Sequence, residues 1–336
     1  METAFCIAAE VESPSRDRQA EYMHLEKICV EALRYEATAW PKPGLVTPVD
    51  SGSHRDMNIA TLLSSIDALR GSFALLADAG ASGASFAALR EIGMAAERRM
   101  LLATGGINTH RGAIFNLGLL VAAAARSRVD HVLHKFTCGD VVARVWGAEI
   151  AAARTQSPAS HGNSVFKKFA AGGARTEAAS GFPTVYNVGL PALRRHLAAG
   201  HDRESALLAT LLALMEHLPD TNLLWRGGES GLEFVRLSAA AFNRAGGVSA
   251  PGWRDRLLEL HRDCVARNLS PGGSADLMAA TWVAHILDLN SDCPLEPNPL
   301  QLPLDRGRAQ SAPPLIRGGW EGFKPIEQSG LNFTAG

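Results

Sequence analysis

Apolar residues recur along this chain at intervals of three and four, the spacing that lines one face of an α-helix. Leu25, Ile28, Cys29 and Leu33 form the first such face, and Ile59, Leu62, Leu63, Ile66, Leu69, Phe73 and Leu76 the next. Phe86, Leu89, Ile92, Ala96 and Met100 follow, then Ile114, Leu117, Leu120 and Val121, then Val141, Val142, Val145, Trp146 and Ile150. The same period returns at about 190–199, 203–217, 230–245, 254–268 and 274–289, while the alternation of a half-buried strand is almost absent. The pattern predicts an all-α fold, a single multi-helix domain over 23–290. A mobile lead-in at 1–22 precedes it, and an irregular Pro-, Gly- and Asn-rich tail at 291–336 follows.

Polar residues, glycine and proline gather between the helices in WPKPGLVTPVDSGSHRDM, ATGGINTHRG, GGARTEAASGFPT, DTNLLWRGG and NLSPGGSAD. A helical bundle needs only short links. Connectors this rich predict loops that converge on one site, held there by the rigid helices.

Composition narrows the classes. The chain has 336 residues, 46% of them hydrophobic, which is enough for a substantial core. A net charge of −1 provides no overall field for nucleic acid, and a small basic pocket is what remains open to a polyanion. No run reaches the ~18–20 uncharged apolar residues of a membrane span, and the N-terminus lacks the pattern of a signal peptide. The five cysteines are scattered and never form a C-x-x-C pair, against a disulfide framework or a structural zinc site. No nucleic acid and no membrane are expected as partners, and a cytoplasmic location is.

Each connector carries chemistry beside its structural duty. Pro41 and Pro43 stop the helix that bears Glu36, and they leave the Lys42 ammonium in a stiff loop, where it can meet a phosphate. Ser53-His54-Arg55-Asp56 matches an S-x-x-D capping box, which has no need of His54 or Arg55 between its partners. Those two add a proton donor and a phosphate ligand beside a carboxylate. In the third connector Asn108 or Thr109 can cap the next helix, and Gly105 and Gly106 allow a left-handed turn or close backbone approach. Arg111 adds a guanidinium to the free amides of that helix start, a natural anion site, though the phosphate loop G-x-x-x-x-G-K-[ST] is missing. Ser270-Pro271-Gly272-Gly273-Ser274-Ala275-Asp276 repeats the device, and Asp220-Thr221-Asn222 with Arg226 supplies another acid, amide and cation. Any one of these is ordinarily a cap or a turn. Several on one domain favour a nucleotide site.

PKPGLV at 41–46, GSHRDM at 52–57, ATGGINTHRGAIF at 103–115, GFPTV at 181–185 and NLSPGGSADLMAATW at 268–282 together resemble the signatures of the ATP:dephospho-coenzyme A triphosphoribosyl transferases, in that family's order. The resemblance spans about 30–290. It departs at GARTEA, 173–178, where the family has glycine in place of Thr176, which points to a different local turn.

The resemblance implies a reaction: ATP and 3′-dephospho-CoA give 2′-(5″-triphosphoribosyl)-3′-dephospho-CoA and adenine. That product is the precursor of a prosthetic group on the acyl carrier protein of malonate decarboxylase or citrate lyase. The wording of the motifs is closer to the malonate decarboxylase branch, and a separate holo-acyl-carrier-protein synthase would take the product. The resemblance also implies roles. Asp56 stands first as base or metal ligand, with Glu36, Asp220 and Asp276 as the other acids, and Mg²⁺ is expected with ATP on Asp56 and Glu36. Lys42, Arg55, Arg111 and Arg226 would hold phosphates. Thr104, Gly105, Gly106 and Asn108, and Ser270, Gly272, Gly273 and Ser274, would supply amides and hydroxyls to phosphate and ribose. His54 and His110 would protonate adenine or contact phosphate. Two other readings stay open from the residues alone, a metal-dependent N-ribosyl hydrolase and a non-catalytic nucleotide-binding helical protein.

Overall fold

Residues 16–153 and 173–289 are described by the computed structural model of this chain, and every regular element among them is a helix. In order these are α1 (Arg16–Thr38), α2 (Ile59–Ala68), α3 (Ser72–Ala81), α4 (Phe86–Ala103), α5 (Arg111–Val129) and α6 (Cys138–Ala153). After the second described stretch begins come α7 (Gly173–Ala179), α8 (Leu190–Ala198), α9 (Arg203–His217), α10 (Thr221–Arg244), α11 (Trp253–Ala266) and α12 (Gly272–Leu289). The all-α expectation holds. Helix α1 already begins at Arg16, so its first turns occupy the end of the segment expected as a lead-in. The first 15 residues and the expected tail from 291 lie outside the described residues.

The core is built around α5. Thirteen of its residues are buried, including Ile114, Leu117, Leu120 and the run Val121–Ala125, so it is apolar on almost every side, as a helix surrounded by others must be. By length and composition α5 could cross a membrane, yet 72% of its apolar window is buried against other helices of this domain. Small residues let neighbours close on it. A Cβ on Gly80 of α3 would lie 2.3 Å from the Ala122 carbonyl oxygen, and one on Gly118 would lie 2.8 Å from Leu76. Cys29, Cys138 and Cys264 are buried and unpaired, as the scattered spacing predicts.

The helix starts are more instructive than their middles. The S-x-x-D match at 53–56 does not cap α2. Asn58 does, with a capping box to Thr61, because the chain needs 51–57 as a loop and the helix begins only at Ile59. The Ser53 hydroxyl instead donates to the Leu269 carbonyl at 2.6 Å, tying this loop to the start of α12. Thr176 lies within α7 rather than in a turn.

Because the Gly80 contact is with backbone, Gly80→Ala cannot be absorbed by a side-chain shift. Alanine gains about 1 kcal/mol in helix propensity, and overpacking costs about 1–3 kcal/mol or more. Chemical denaturation is expected to show a net loss of stability, with α3 displaced from α5.

Candidate active site

A cavity of about 1440 Å³ lies where the 42–57 loop, α4, the first half of α5, α7 and the entrances of α10 and α12 meet. Its volume exceeds the roughly 300–1,000 Å³ of a pocket for one small ligand. The polar connectors do converge here, and the glycines explain how closely. Gly44 has φ +69°, and a Cβ there would sit 2.1 Å from the Leu269 carbonyl oxygen. A side chain at this point would part the 42–57 loop from the entrance of α12.

Asp220 braces two of those entrances. It is 1% exposed and N-caps α10, with Oδ1 accepting from Asn222 N–H at 2.9 Å. Its Oδ2 accepts from Ser274 N–H at 2.8 Å and from the Ser274 hydroxyl at 3.0 Å, both at the start of α12. Burial raises its pKa above the usual carboxylate range, and these donors together with Gly273 N–H oppose the rise. With both oxygens committed to helix starts, Asp220 is a structural brace rather than a base. Ser274, whose hydroxyl is turned to that carboxylate, does not line the cavity.

Glu36 and Lys42 form a buried pair. The Lys42 ammonium donates to Glu36 Oε1 at 2.6 Å and to the Glu36 carbonyl at 2.5 Å, with the lysine side chain 1% exposed. Lys42 reaches the cavity wall, but two of its three hydrogens are already spent, so it is not the free phosphate anchor its loop suggests. The same contact engages one of the two oxygens of Glu36, the residue expected with Asp56 to bind metal. Among the described residues no group of three or more His, Cys, Asp or Glu is arranged to hold an ion.

His54 and Arg226 form a second tie. Arg226 Nη1 donates to the Ser53 carbonyl at 2.9 Å and to Asn268 Oδ1 at 3.1 Å, and Nη2 donates to His54 Nδ1 at 3.2 Å. A guanidinium only donates, so His54 accepts at Nδ1 and carries its hydrogen on Nε2, 2.9 Å from the Ser270 hydroxyl. Burial first and Arg226 second lower the His54 pKa, and nearby Asp56 opposes them. His54 is thus held neutral. Asp56, whose side chain is 62% exposed, sits at the rim with His54 Nδ1 3.7 Å away. Arg55 does not line the cavity.

The ATGGINTHRG loop divides in two. Thr104 donates its hydroxyl to the Met100 and Ile107 carbonyls, and Gly105 and Gly106, at φ +66° and +90°, close the end of α4. None of these three lines the cavity, so the glycines serve the turn and not a phosphate. The half that does line it starts at Asn108, which accepts from Arg111 N–H at 3.3 Å. His110, 3% exposed, has Nδ1 2.7 Å from the Ser65 hydroxyl, and its Nε2 has no partner among the described residues. Burial drives its pKa down to about 4, Glu36 opposing and Lys42 assisting. That biases the imidazole towards its neutral form near neutral pH. Arg111, half exposed, is paired with Glu97 at 3.0 Å.

Asp276 is the least satisfied acid of the group. Its carboxyl packs on Gly112, where a Cβ would lie 1.9 Å from Oδ2, and it accepts from Ala113 N–H. Burial, then the charges of Glu36 and Asp220, raise its pKa well above the usual carboxylate range. It opens on the cavity beside Gly272, Gly273 and Ser270.

Sequence reasoning missed part of the wall. Arg90 and Glu97 on α4 and Arg175 on α7 add charge, and Trp225 sits at the mouth, 52% exposed. Phe86, Leu89, Phe115 and Leu119 make an apolar region, in which Asn116 leaves a buried Oδ1 without a partner among the described residues. Asn116 could have been noticed as the polar residue inside the apolar run IFNLGLLV. The α4 residues sit in no motif, and only the packing of α4 on α5 brings them here.

The sequence profile described as ATP:dephospho-CoA triphosphoribosyl transferase matches residues 23–293, and this chain belongs to that family of enzymes. It is 41% identical over 288 residues to a 2-(5″-triphosphoribosyl)-3′-dephosphocoenzyme-A synthase of Pectobacterium atrosepticum, covering 83% of this chain and 94% of the relative. It is also 42% identical to a probable synthase of the same name from Pectobacterium carotovorum, over 78% of this chain and 88% of the relative. A third, from Acinetobacter calcoaceticus, is 38% identical over 77% of this chain and 89% of its own length. No solved structure matches the chain.

Two outcomes follow from the acids. Asp220→Ala removes the acceptor shared by two helix entrances, each cap worth about 1–2 kcal/mol, so denaturant unfolding is expected to show a loss of about 3 kcal/mol. For Asp276 the folded pKa lies above the unfolded one. As pH rises past ~3.9 the unfolded chain sheds its proton first, and stability falls until the folded carboxyl ionises too. Asp276→Asn removes that fall. Thermal unfolding from pH 5 to 8 is expected to show the variant gaining on the wild type as pH rises.

Proposed function

We propose that this chain transfers the 5-triphosphoribosyl group of ATP to the 2′-hydroxyl of 3′-dephospho-CoA and releases adenine, the activity described by its family's name. The observation that carries the reading is one cavity, large enough for two nucleotides, in which the buried carboxyl of Asp276 and the rim carboxylate of Asp56 line the same space.

The bond to break joins C1′ of the ribose to adenine, and the triphosphate stays intact. The site therefore has to orient phosphates rather than activate the terminal one, which suits a cavity without a phosphate loop. Arg111 and the uncommitted hydrogens of Arg226 supply that clamp. Departure of adenine needs a proton, and Asp276, kept protonated by burial and by its acidic neighbours, gives it to a ring nitrogen. The incoming 2′-hydroxyl loses its proton to Asp56 as the new bond to C1′ forms. The two transfers balance, and solvent resets both carboxyls. The Glu36 carboxylate, fixed by Lys42, places negative charge near the developing oxocarbenium ion. The family's α-linked product from β-linked ATP is the outcome of a direct displacement.

Mg²⁺ fits this cavity as a companion of ATP rather than as a resident ion, because it commonly takes one or two carboxylates together with phosphate oxygens and water. Asp56 is the carboxylate available to it. We assign the product to the prosthetic group of a malonate decarboxylase carrier protein, with citrate lyase as the other candidate. A separate holo-acyl-carrier-protein synthase would consume it in the cytoplasm.

Incubation with ATP, Mg²⁺ and dephospho-CoA, followed by mass analysis, is expected to show the triphosphoribosyl adduct and an equivalent of free adenine. Adenine release without dephospho-CoA would instead identify a hydrolase, and ATP binding with no turnover a binding protein. Asp276→Asn is expected to reduce adenine release by about 10²- to 10⁴-fold, the usual worth of a positioned acid, while both substrates still bind.

A further inference from the structure

His110 occupies the residue before α5, where a helix ordinarily places Ser, Thr, Asp or Asn to cap its free amides. Its ring makes no capping bond. The backbone still opens the helix, with Ile114 N–H donating to the His110 carbonyl at 2.8 Å, but the imidazole is turned inward and buried. Its backbone N–H is also accounted for, 3.3 Å from Met100 Sδ. The position gives up a cap, so the ring has to be explained by what it faces.

On one side the ring meets two hydroxyls in series. The Thr109 hydroxyl donates to Ser65 Oγ at 2.7 Å, and Ser65 Oγ lies 2.7 Å from His110 Nδ1. Ser65 is on α2 and fully buried, so water does not compete for its hydrogen. The direction of the chain follows from counting hydrogens. Thr109 has no other partner for its hydroxyl among the described residues, so it spends its hydrogen on Ser65. Ser65 then has its own single hydrogen for Nδ1. The reverse polarity would leave the Thr109 hydrogen to the cavity's solvent, with no acceptor among the described residues. On the other side Nε2 is buried and without a partner among the described residues, and His110 is one of the residues that line the cavity.

We propose that Ser65, backed by Thr109, is a positioning residue that locks His110 into the neutral tautomer with hydrogen on Nε2, so that this N–H is a fixed donor to an acceptor atom of the bound nucleotide. The donor is uncharged and pre-aimed, and its reorganisation cost is met when the protein folds. The Lys42 ammonium and the Glu36 carboxylate are the charged groups nearest the ring, and their mutual pairing leaves the imidazole as the neutral member of the group. The acceptor is of the class found on adenine and ribose, a ring nitrogen or a hydroxyl oxygen. This use of the donor rests on the nucleotide reading above, whereas the tautomer itself does not.

The test separates the two. Long-range ¹H–¹⁵N correlation spectra of the ¹⁵N-histidine-labelled full chain, with His110 assigned by its disappearance in His110→Gln, report which ring nitrogen carries hydrogen. The wild type without substrate is expected to show the Nε2–H form, and an Nδ1–H form would overturn the proposal. In Ser65→Ala the signal is expected to shift towards a mixture of tautomers. With ATP and dephospho-CoA that variant should lose about tenfold or more in kcat, with KM changed much less, as when a supporting hydroxyl or carboxylate is removed behind a catalytic histidine. A retained Nε2–H tautomer with unchanged kcat would count against the relay. Thr109→Val, which removes only the outer hydroxyl, provides a second, milder variant if Ser65→Ala does not fold. A smaller loss of kcat is expected from it, and wild-type turnover would overturn the outer step. If the wild type shows the predicted tautomer but makes no adduct, the function is wrong and the relay stands.

Discussion

The cavity depends on a single carboxylate held between two helix starts. Asp220 closes the entrance of α10 with one oxygen and the entrance of α12 with the other, and neither helix has another charged group doing this work. A helix start exposes amides that need acceptors. Here one acceptor serves two starts and so fixes the distance between them. Ser53, reaching the Leu269 carbonyl, and Arg226, reaching Ser53 and Asn268, then hang the 42–57 loop on the same junction. The polar wall is thus suspended from an anion that the chemistry does not consume.

Around that brace the acids divide their labour by environment. Glu36 is neutralised by a lysine, Asp220 is saturated by amides, Asp56 is at the rim in reach of water, and Asp276 is crowded by the first two, which add to burial in raising its pKa. Four carboxyls of similar intrinsic acidity thus sit in four different settings: paired with a cation, bound to helix amides, exposed at the rim, and buried among other acids. The histidines follow the same rule, since both ring systems are held neutral by burial and by the cations beside them. The cavity wall also carries arginines, whose charge is not lost by burial.

Much of this was legible in the chain. The 3.6-residue period located the helices, and the crowding of Gly, Pro, Asn and charged residues into a few connectors located the site. Assigning individual duties was harder, because the same residue types cap helices and bind anions. Ser53-x-x-Asp56 has the spelling of a cap but not the backbone of one, and Gly105-Gly106 has the spelling of a phosphate cradle but ends α4. Lys42 reads as a free cation until its partner six residues earlier folds back on it. Glu97, Arg90 and Ser65 carry no local signal, since what brings them to the site is the packing of α4 against α5 and of α2 against α4 and α1. Motifs describe contacts along the chain, and these contacts run across it.

The Glu36–Lys42 pair has a consequence on an evolutionary scale. A buried ion pair that loses one member leaves a bare charge in a low-dielectric setting, at a cost of about 3–5 kcal/mol, a large share of a domain's total stability. An uncharged, well-packed couple in the same space costs far less. Sequence drift at these two positions therefore has to cross a valley. Neither residue can change alone without that cost, so the choice of side chain at position 36 constrains position 42, and both face the same cavity.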